Sequence, residues 1–232
     1  MIPGIVAAYR PIGPSLPPET DPSFASVGLL LHFDGGNGST DFTEVTGKVL
    51  AVSGGAVQSS TQKLFGVSSM TSPAGTYNQR LQTESLSSLN LSGPFTIELA
   101  LYLVTSTIQY FVVARGNSTL SINTSSGKLQ VFAFGTTITD PDVYTQNQFL
   151  QIAVTRDASN VVRLFVGGIQ KSSASTATNQ TTTTVWDIGS STDWGGASTG
   201  LRDGYMDELR VTFGVCRYSS AYTPANSAFP DA

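Results

Sequence analysis

The chain has 232 residues, of which 40% are hydrophobic and 12% are charged, and its formal net charge is −4. This length is sufficient for one large domain with its own core. The 12 Lys and Arg residues are spread along the chain, so they form no basic stripe that could neutralise phosphates, and a nucleic acid partner is excluded. With 23 glycines and few charges, the composition argues against long helices, whose surfaces are rich in Glu, Lys and Arg.

The N-terminal segment, residues 1–26, is rich in proline and predicts an extended arm that precedes a domain at residues 27–232. Proline fixes its own backbone and removes an N–H donor from any sheet, which keeps such a segment extended. Two hypotheses stay open for it. It is either a leader without a role, or an arm that docks on another chain through its apolar side chains, Ile2, Ile5, Val6, Tyr9 and Ile12.

The same N-terminus lacks the basic leader and unbroken apolar stretch of a signal peptide. No apolar run in the chain approaches the length of a membrane span. We therefore expect synthesis and folding in the cytoplasm of the producing cell.

Short β-prone runs separated by turn residues continue along most of the chain. They predict strands at residues 29–34, 49–52, 56–59, 95–104, 112–115, 120–123, 129–134, 149–156, 161–166 and 186–189, and a last strand that begins at Gly204. Many short strands with frequent Gly, Asn, Asp and Pro turns are typical of an antiparallel sandwich. The Thr-rich tract at 172–184 is either a loop or an edge strand.

Residues 95–104 show the clearest alternation, and both of their faces are apolar. A strand with two apolar faces belongs in the centre of a sheet, with further structure packed on its outer side. The aromatic, Pro-punctuated tail at 218–230 is a candidate for that cover, held across a sheet by Tyr218, Tyr222 and Phe229.

Strict alternation in the last strand places Tyr205, Asp207, Leu209, Val211 and Phe213 on the core face. This prediction buries the carboxylate of Asp207, which needs a partner because an unpaired buried charge is costly. The partner is a cation, an arginine or a set of backbone N–H groups.

His32 is the only histidine of the chain. A lone histidine among apolar residues is most often a hydrogen-bonded structural residue, and nothing in the sequence places an acid and a nucleophile beside it. We predict no catalytic residue.

Several strings in order resemble a known family. They lie at residues 31–40, 65–69, 93–98, 152–156, 163–168, 188–189 and 204–218, and are followed by the Thr-Pro and Phe-Pro pairs of the tail. Together they resemble the laminin G-like, concanavalin A-like jelly-roll modules that are common in virion proteins of tailed phages. The resemblance implies an all-β, two-sheet antiparallel jelly-roll sandwich that is usually non-enzymatic and binds glycans or other virion proteins.

Related modules often hold a structural calcium ion near acids at the ends of the first and last strands, so the resemblance implies a calcium site at Asp34 and Asp207, with Asp41 as a further ligand. The alternative stays open that Asp34 makes a local turn with the glycine loop. Asp207 would then accept hydrogen bonds from Arg202, Arg210 or the backbone.

The candidate glycan-binding residues are Trp194, Tyr77 and Asp193. Trp194 and Tyr77 lie in Gly/Ser-rich loops, from which their rings could stack on sugar faces. The alternative is that these rings fold back on the sandwich. A glycoside hydrolase is the remote hypothesis, because it needs two carboxylates about 5 to 9 Å apart. Asp207 and Glu208 are adjacent on a predicted strand and point to opposite faces.

The resulting hypothesis is a virion structural protein, either a capsid decoration or a tail or fibre component, attached to other virion proteins through its arm. The alternative is a lectin-like module that adsorbs to a host-surface glycan. A homo-oligomer is compatible with both hypotheses.

Overall fold

The computed structural model describes residues 20–72, 79–115, 120–177, 185–191, 200–202 and 204–232. Within these ranges the chain forms two antiparallel sheets, so the predicted all-β sandwich is confirmed. No helix in these ranges is long and apolar enough to cross a membrane. The predicted docking residues of the arm, from Ile2 to Ile12, lie outside the described part of the chain.

The first sheet has eight strands. In spatial order seven of them are β13 (Ile169–Ser175), β12 (Val161–Val166), β11 (Phe149–Arg156), β6 (Phe95–Tyr102), β15 (Tyr205–Phe213), β4 (Ser69–Thr71) and β3 (Val57–Ser59). The eighth strand, β1 (Val27–Leu31), pairs with the C-terminal half of β15, while β4 pairs with its first two residues. The first and last strands of the chain are therefore neighbours.

The second sheet has seven strands. Their spatial order is β10 (Thr136–Thr139), β9 (Lys128–Ala133), β8 (Leu120–Ser125), β7 (Gln109–Ala114), β14 (Trp186–Ile188), β5 (Arg80–Thr83) and β2 (Leu50–Ser53). Two short 3-10 helices, Phe24–Ser26 and Ser87–Leu89, complete the regular structure of the described residues. The Thr-rich tract starts inside β13, the edge strand of the eight-stranded sheet.

One apolar core fills the space between the two sheets. Leu99 and Leu101 of β6, Val154 of β11 and Leu209 of β15 are buried in it, together with Trp186 from the opposite sheet. Each of these strands contributes every second side chain, as the pleat of a strand requires. The burial of this apolar surface is the main stabilising contribution that a chain without a disulfide can use.

The C-terminal tail covers the outer face of the eight-stranded sheet, as the sequence predicted. The ring of Tyr222 contacts that of Phe165 with a centroid separation of 5.7 Å. The hydroxyl group of Tyr218 donates to Glu98 in β6 at 2.7 Å, and the ring of Phe229 lies 3.9 Å from the Arg210 guanidinium carbon. Strand β6 is thus central and covered on both faces.

A β-bulge in β15 corrects the predicted face assignment of that strand. Asp207 pairs with Ala100 and Arg210 pairs with Glu98, so Glu208 and Leu209 together oppose the single residue Leu99. The inserted residue, Glu208, has a positive φ of 51°. Because one extra residue reverses the alternation, Met206 faces the core in place of Tyr205 and Asp207, whereas Leu209 and Val211 face it as predicted.

A buried ion network lies under the tail on the outer face. Arg210 donates to Glu98 at 2.7 Å and to Asp21 at 3.0 Å, and Arg217 donates to Asp21 at 2.7 Å. Burial alone would raise the pKa of Asp21, but hydrogen bonds from Arg217 and the Ser23 N–H hold it below its ordinary value. The network joins residue 21, the central strands β6 and β15, and the start of the tail.

Replacement of Arg210 by Met should destabilise the fold strongly. The variant leaves Glu98 and Asp21 with less compensating charge in a buried site, and removal of one member of a buried ion pair costs about 3 to 5 kcal/mol. The measurement is the free energy of unfolding in urea. The control is Lys171→Met, which removes an exposed ion pair with Asp142 and should leave the urea midpoint nearly unchanged. Equal stability of Arg210→Met and the wild type would contradict the structural role of the network.

Candidate functional site

The predicted metal ligands Asp34 and Asp207 both bind the backbone of one loop. Asp207 accepts hydrogen bonds from the N–H groups of Leu64 at 2.7 Å and Phe65 at 3.1 Å. Asp34 accepts from the Val67 N–H at 2.6 Å. Gly66 is required between them, because a Cβ atom there would lie 2.0 Å from the Asp34 carboxylate and its φ is +58°. The two acids therefore hold the loop that joins β3 to β4.

The pKa of Asp207 is unusual for an aspartate. Burial raises its pKa to about 7, although the N–H groups of Leu64 and Phe65 act in the opposite direction, and the negative charges of Glu208 and Asp34 raise it further. Its second oxygen accepts from the Glu208 N–H at 3.0 Å. Of the partners named as alternatives to calcium, the backbone is the one observed.

Asp41, the third predicted ligand, is exposed. Among the residues that the structure describes, no three His, Cys, Asp or Glu side chains are grouped so that they could hold a metal ion. The carboxylates of Asp34 and Asp207 accept hydrogen bonds from backbone N–H groups, which are not the oxygen ligands that calcium takes. The structural calcium ion stays a prediction.

His32 links the sandwich to the tail. Its Nδ1 atom lies 2.9 Å from the Glu208 carboxylate and its Nε2 atom lies 2.7 Å from the Asp231 carboxylate. The hydrogen bond to Glu208 raises the pKa of His32 to about 9 against the effect of burial, and Asp231 contributes in the same direction. The imidazole is therefore a charged, structural group, as the sequence predicted for this residue.

Three aromatic side chains form a row on the outer face of the eight-stranded sheet. Phe149 of β11 pairs with Tyr102 of β6, and Tyr102 pairs with Tyr205 of β15. The ring centroids of Phe149 and Tyr102 are 5.4 Å apart, and those of Tyr102 and Tyr205 are 5.7 Å apart. Each ring is half-buried and keeps part of its surface in solvent. This set is called the aromatic row below.

The aromatic row lies where the cover of the tail ends. The next row of the same face is Asp207, Ala100 and Gln151, and the tail residues Tyr222 and Phe229 lie against that part of the sheet. Exposed amides of Asn147 and Gln148 directly precede Phe149 along the chain. Aromatic surface next to hydrogen-bonding amides is a combination suited to amphipathic ligands.

The predicted glycan residues Tyr77, Asp193 and Trp194 lie outside the described residues. The residues that flank their segments are close together, at the end of the sandwich near the aromatic row. Leu201 donates its N–H to the Gly189 carbonyl at 2.7 Å, and Thr71, which pairs with Tyr205, donates to the Gly204 carbonyl at 2.8 Å.

Sequence reasoning did not identify the aromatic row. Its three members come from strands that are far apart in sequence, and only the pairing register brings them together. The bulge in β15 also moves Tyr205 from the predicted core face to the outer face. Two members could have been found from the sequence, because Tyr102 and Phe149 are aromatic residues at outward positions of two predicted strands.

The outer face of the seven-stranded sheet carries a different group. Asp187 is fully buried there and accepts a hydrogen bond from Gln82 at 2.8 Å. The guanidinium groups of Arg80 and Arg115 lie 3.4 and 3.5 Å from its carboxylate. Opposite charges in this arrangement compensate the burial of Asp187, which is a structural role.

Two facing antiparallel sheets with this strand pairing define a sandwich of the concanavalin A-like class. The Laminin_G_3 family model, described as the concanavalin A-like lectin/glucanases superfamily, matches residues 74–215. The chain therefore belongs to this family. No curated protein matches the chain as a relative.

Solved structures share the fold at low sequence identity. The binding domain of Paraclostridial Mosquitocidal Protein 1 is 14% identical with a TM-score of 0.62, over 86% of this chain and 50% of that one. The botulinum neurotoxin serotype D ligand binding domain in complex with N-acetylneuraminic acid is 8% identical with a TM-score of 0.61, over 86% and 49% of the two chains. This chain thus spans about half the length of these two structures.

A third structure is matched over most of its own length. Domain 4 of AbnA, a GH43 extracellular arabinanase from Geobacillus stearothermophilus, in complex with arabinotriose, is 14% identical with a TM-score of 0.58. The match covers 82% of this chain and 94% of that domain. At these identities the likeness establishes the fold alone.

The charge of His32 should stabilise the fold at low and neutral pH. Since the pKa rises from an ordinary value of 6.5 to about 9 in the folded state, this contribution is fully present below pH 6.5 and is lost as the pH rises to about 9. Because the chain has a single histidine, its imidazole NMR signal is unambiguous and its titration midpoint can be measured directly.

In the variant Glu208→Gln the midpoint should fall from about 9 towards 6.5, because the largest cause of the shift is removed. The difference in unfolding free energy between the wild type and His32→Gln should shrink as the pH rises from 6.5 to about 9. A wild-type midpoint near 6.5 would contradict the arrangement of His32 between two carboxylates.

Proposed function

We propose that this protein is a non-enzymatic, lectin-like module that binds a saccharide on the aromatic row. The observation that carries the proposal is the alignment of Phe149, Tyr102 and Tyr205 on three neighbouring strands, where each side chain keeps part of its surface in solvent. The C–H groups of a sugar face pack on an aromatic ring, while the Tyr hydroxyls and nearby amides can bind its hydroxyls.

Proteins of the same fold support this proposal. The AbnA domain was solved with arabinotriose, and the botulinum neurotoxin domain was solved with N-acetylneuraminic acid. These ligands belong to those two proteins. For this chain they support a saccharide as the class of ligand, since two members of one fold class carry a sugar in their structures.

A binding role without catalysis is supported by the surroundings of the buried acids. Asp207 is bound by three backbone N–H groups, and Glu208 is bound by His32 and by the N–H of Phe229. Glycoside hydrolysis requires one carboxyl group that can protonate a leaving group and a second that can attack or activate water. Carboxylates held in this way are suited to hold the loop and the tail.

We further propose that the module belongs to the virion of a tailed phage, as a capsid decoration or a tail or fibre component, and is carried there by its Pro-rich N-terminal arm. The support is the ordered series of sequence strings and the composition of residues 1–26. Residues 20–26 pack on the sandwich through Asp21, which bonds Arg210, Arg217 and the Ala232 carbonyl. A truncation that tests the arm should therefore stop at residue 19.

The variant Tyr102→Leu should lose saccharide binding while it keeps the fold. Leu retains apolar volume but has no aromatic face, so affinity for the best saccharide of a glycan array should fall on the order of tenfold. The control is Phe132→Leu, which removes a half-buried ring from β9 of the opposite sheet. Equal losses in both variants, or no binding by the wild type to any glycan on the array, would contradict the proposal.

Removal of residues 1–19 should leave the domain folded and prevent its incorporation into phage particles. The measurement is the amount of the chain in purified particles, with the urea midpoint of the isolated domain as the control for folding. Normal incorporation of the truncated chain would show that the arm is not the attachment segment.

A further inference from the structure

The outer edges of the two sheets differ in how they are shielded. An edge strand exposes unpaired backbone N–H and C=O groups, and proteins usually block it with charge, an irregular register or further backbone. In the described residues, β3 exchanges backbone hydrogen bonds with residues 38–39, and the outer side of β1 accepts one from Val45. Strand β13 carries the charge of Lys171 and a register shift against β12, and β10 lies beside β13. The remaining edge is β2.

Strand β2 has β5 as its single neighbour in the described part of the chain. Leu50 lies opposite Thr83, which places Val49 opposite Glu84. The Glu84 N–H donates to the Val49 carbonyl at 3.4 Å, so these two residues form a hydrogen-bonded pair. Such pairs alternate with non-hydrogen-bonded pairs along antiparallel strands. Leu50 and Val52 therefore turn their N–H and C=O groups away from β5, towards the free edge.

The side chains of this edge are uncharged and largely apolar. Val49 is 66% exposed and Val52 is 39% exposed, and Ala51 is exposed between them. Strand β2 contains no Lys, Arg, Asp, Glu or Pro, which are the residues that usually prevent the pairing of an edge. The edge thus presents both the backbone groups and the apolar surface that a further strand requires.

The same strand of a second copy is complementary to this edge. In an antiparallel arrangement, one register pairs both outward residues of one copy with those of the other. It places Leu50 opposite Val52 of the second copy, and the two residues exchange both backbone hydrogen bonds. A two-fold axis repeats this pair and sets Val49 opposite Ser53. Ala51 meets its own copy at the axis, where the short distance of a non-hydrogen-bonded pair suits its small side chain.

We propose that two copies of this chain associate through β2 about a two-fold axis at Ala51, so that their seven-stranded sheets become one continuous antiparallel sheet. This inference is independent of any ligand and goes beyond the proposed function. The aromatic row lies on the eight-stranded sheet and takes no part in the pairing. A dimer therefore presents two copies of the proposed saccharide surface, which raises the avidity for a glycan that repeats on a surface.

The test is sedimentation velocity of the full chain at about 1 to 100 µM, since a short edge gives a small interface and a modest affinity. The wild type should shift from monomer to dimer across this range. Ala51→Lys should weaken association by roughly tenfold or more, because the axis sets two like charges directly opposite each other. Residue 51 is exposed in the single copy, so the urea midpoint of this variant should stay near that of the wild type.

Opposite charges at residue 51 test the register. Ala51→Glu alone should weaken association as Ala51→Lys does. A mixture of the two variants should form a heterodimer, because the charges that meet at the axis then attract each other. The matched control is Ile169→Lys, which adds a charge at an exposed apolar position of β13, an edge of the other sheet, and should leave association unchanged.

A wild type that stays monomeric at the highest concentration would overturn the inference. A dimer that Ala51→Lys leaves intact, or that Ile169→Lys disrupts instead, would do the same. If both variants at residue 51 are monomeric and their mixture is also monomeric, the two-fold register at Ala51 is wrong. Saccharide binding is measured separately on the glycan array, so failure of the dimer and failure of the proposed function are distinguishable.

Discussion

One extra residue in strand β15 determines which side chains of this central strand face the core. Glu208 and Leu209 together oppose Leu99, and this bulge keeps Leu209 and Val211 inside while it places Asp207 and Arg210 outside. Uninterrupted alternation would place Asp207 on the same face as Leu209 and Val211, and the bulge moves it to the outer face beside Arg210. A non-glycine residue with positive φ is costly, and here the carboxylate of Glu208 is held by His32 and by the Phe229 N–H.

The outer face of the eight-stranded sheet acquires two different parts as a result. Towards the C-terminal half of β15, the charged groups of Arg210, Glu98 and Asp21 neutralise one another under the tail. Towards its N-terminal end, Tyr205 joins Tyr102 and Phe149 in a row of half-buried rings. The tail thus has a structural role on one part of the face, and the binding surface that we propose occupies the other part.

The sequence was sufficient for the fold class, because alternation in strands such as β11 and β12 is a local property and their observed bounds agree with the predicted ones. It also identified β6 as a covered central strand and His32 as a structural residue. Asp207 is buried as predicted, but its predicted face was wrong because a bulge leaves no local signal in the alternation of β15. The aromatic row could not be predicted, since it depends on the register between three strands that are distant in sequence.

The account depends most directly on where a saccharide contacts the protein. Aromatic side-chain NMR signals, recorded during titration with a saccharide that binds, measure this for each ring. The account predicts that the signals of Phe149, Tyr102 and Tyr205 shift together, while those of Phe132 and Tyr110 on the seven-stranded sheet do not. Shifts confined to the seven-stranded sheet, with the aromatic row unaffected, would contradict it.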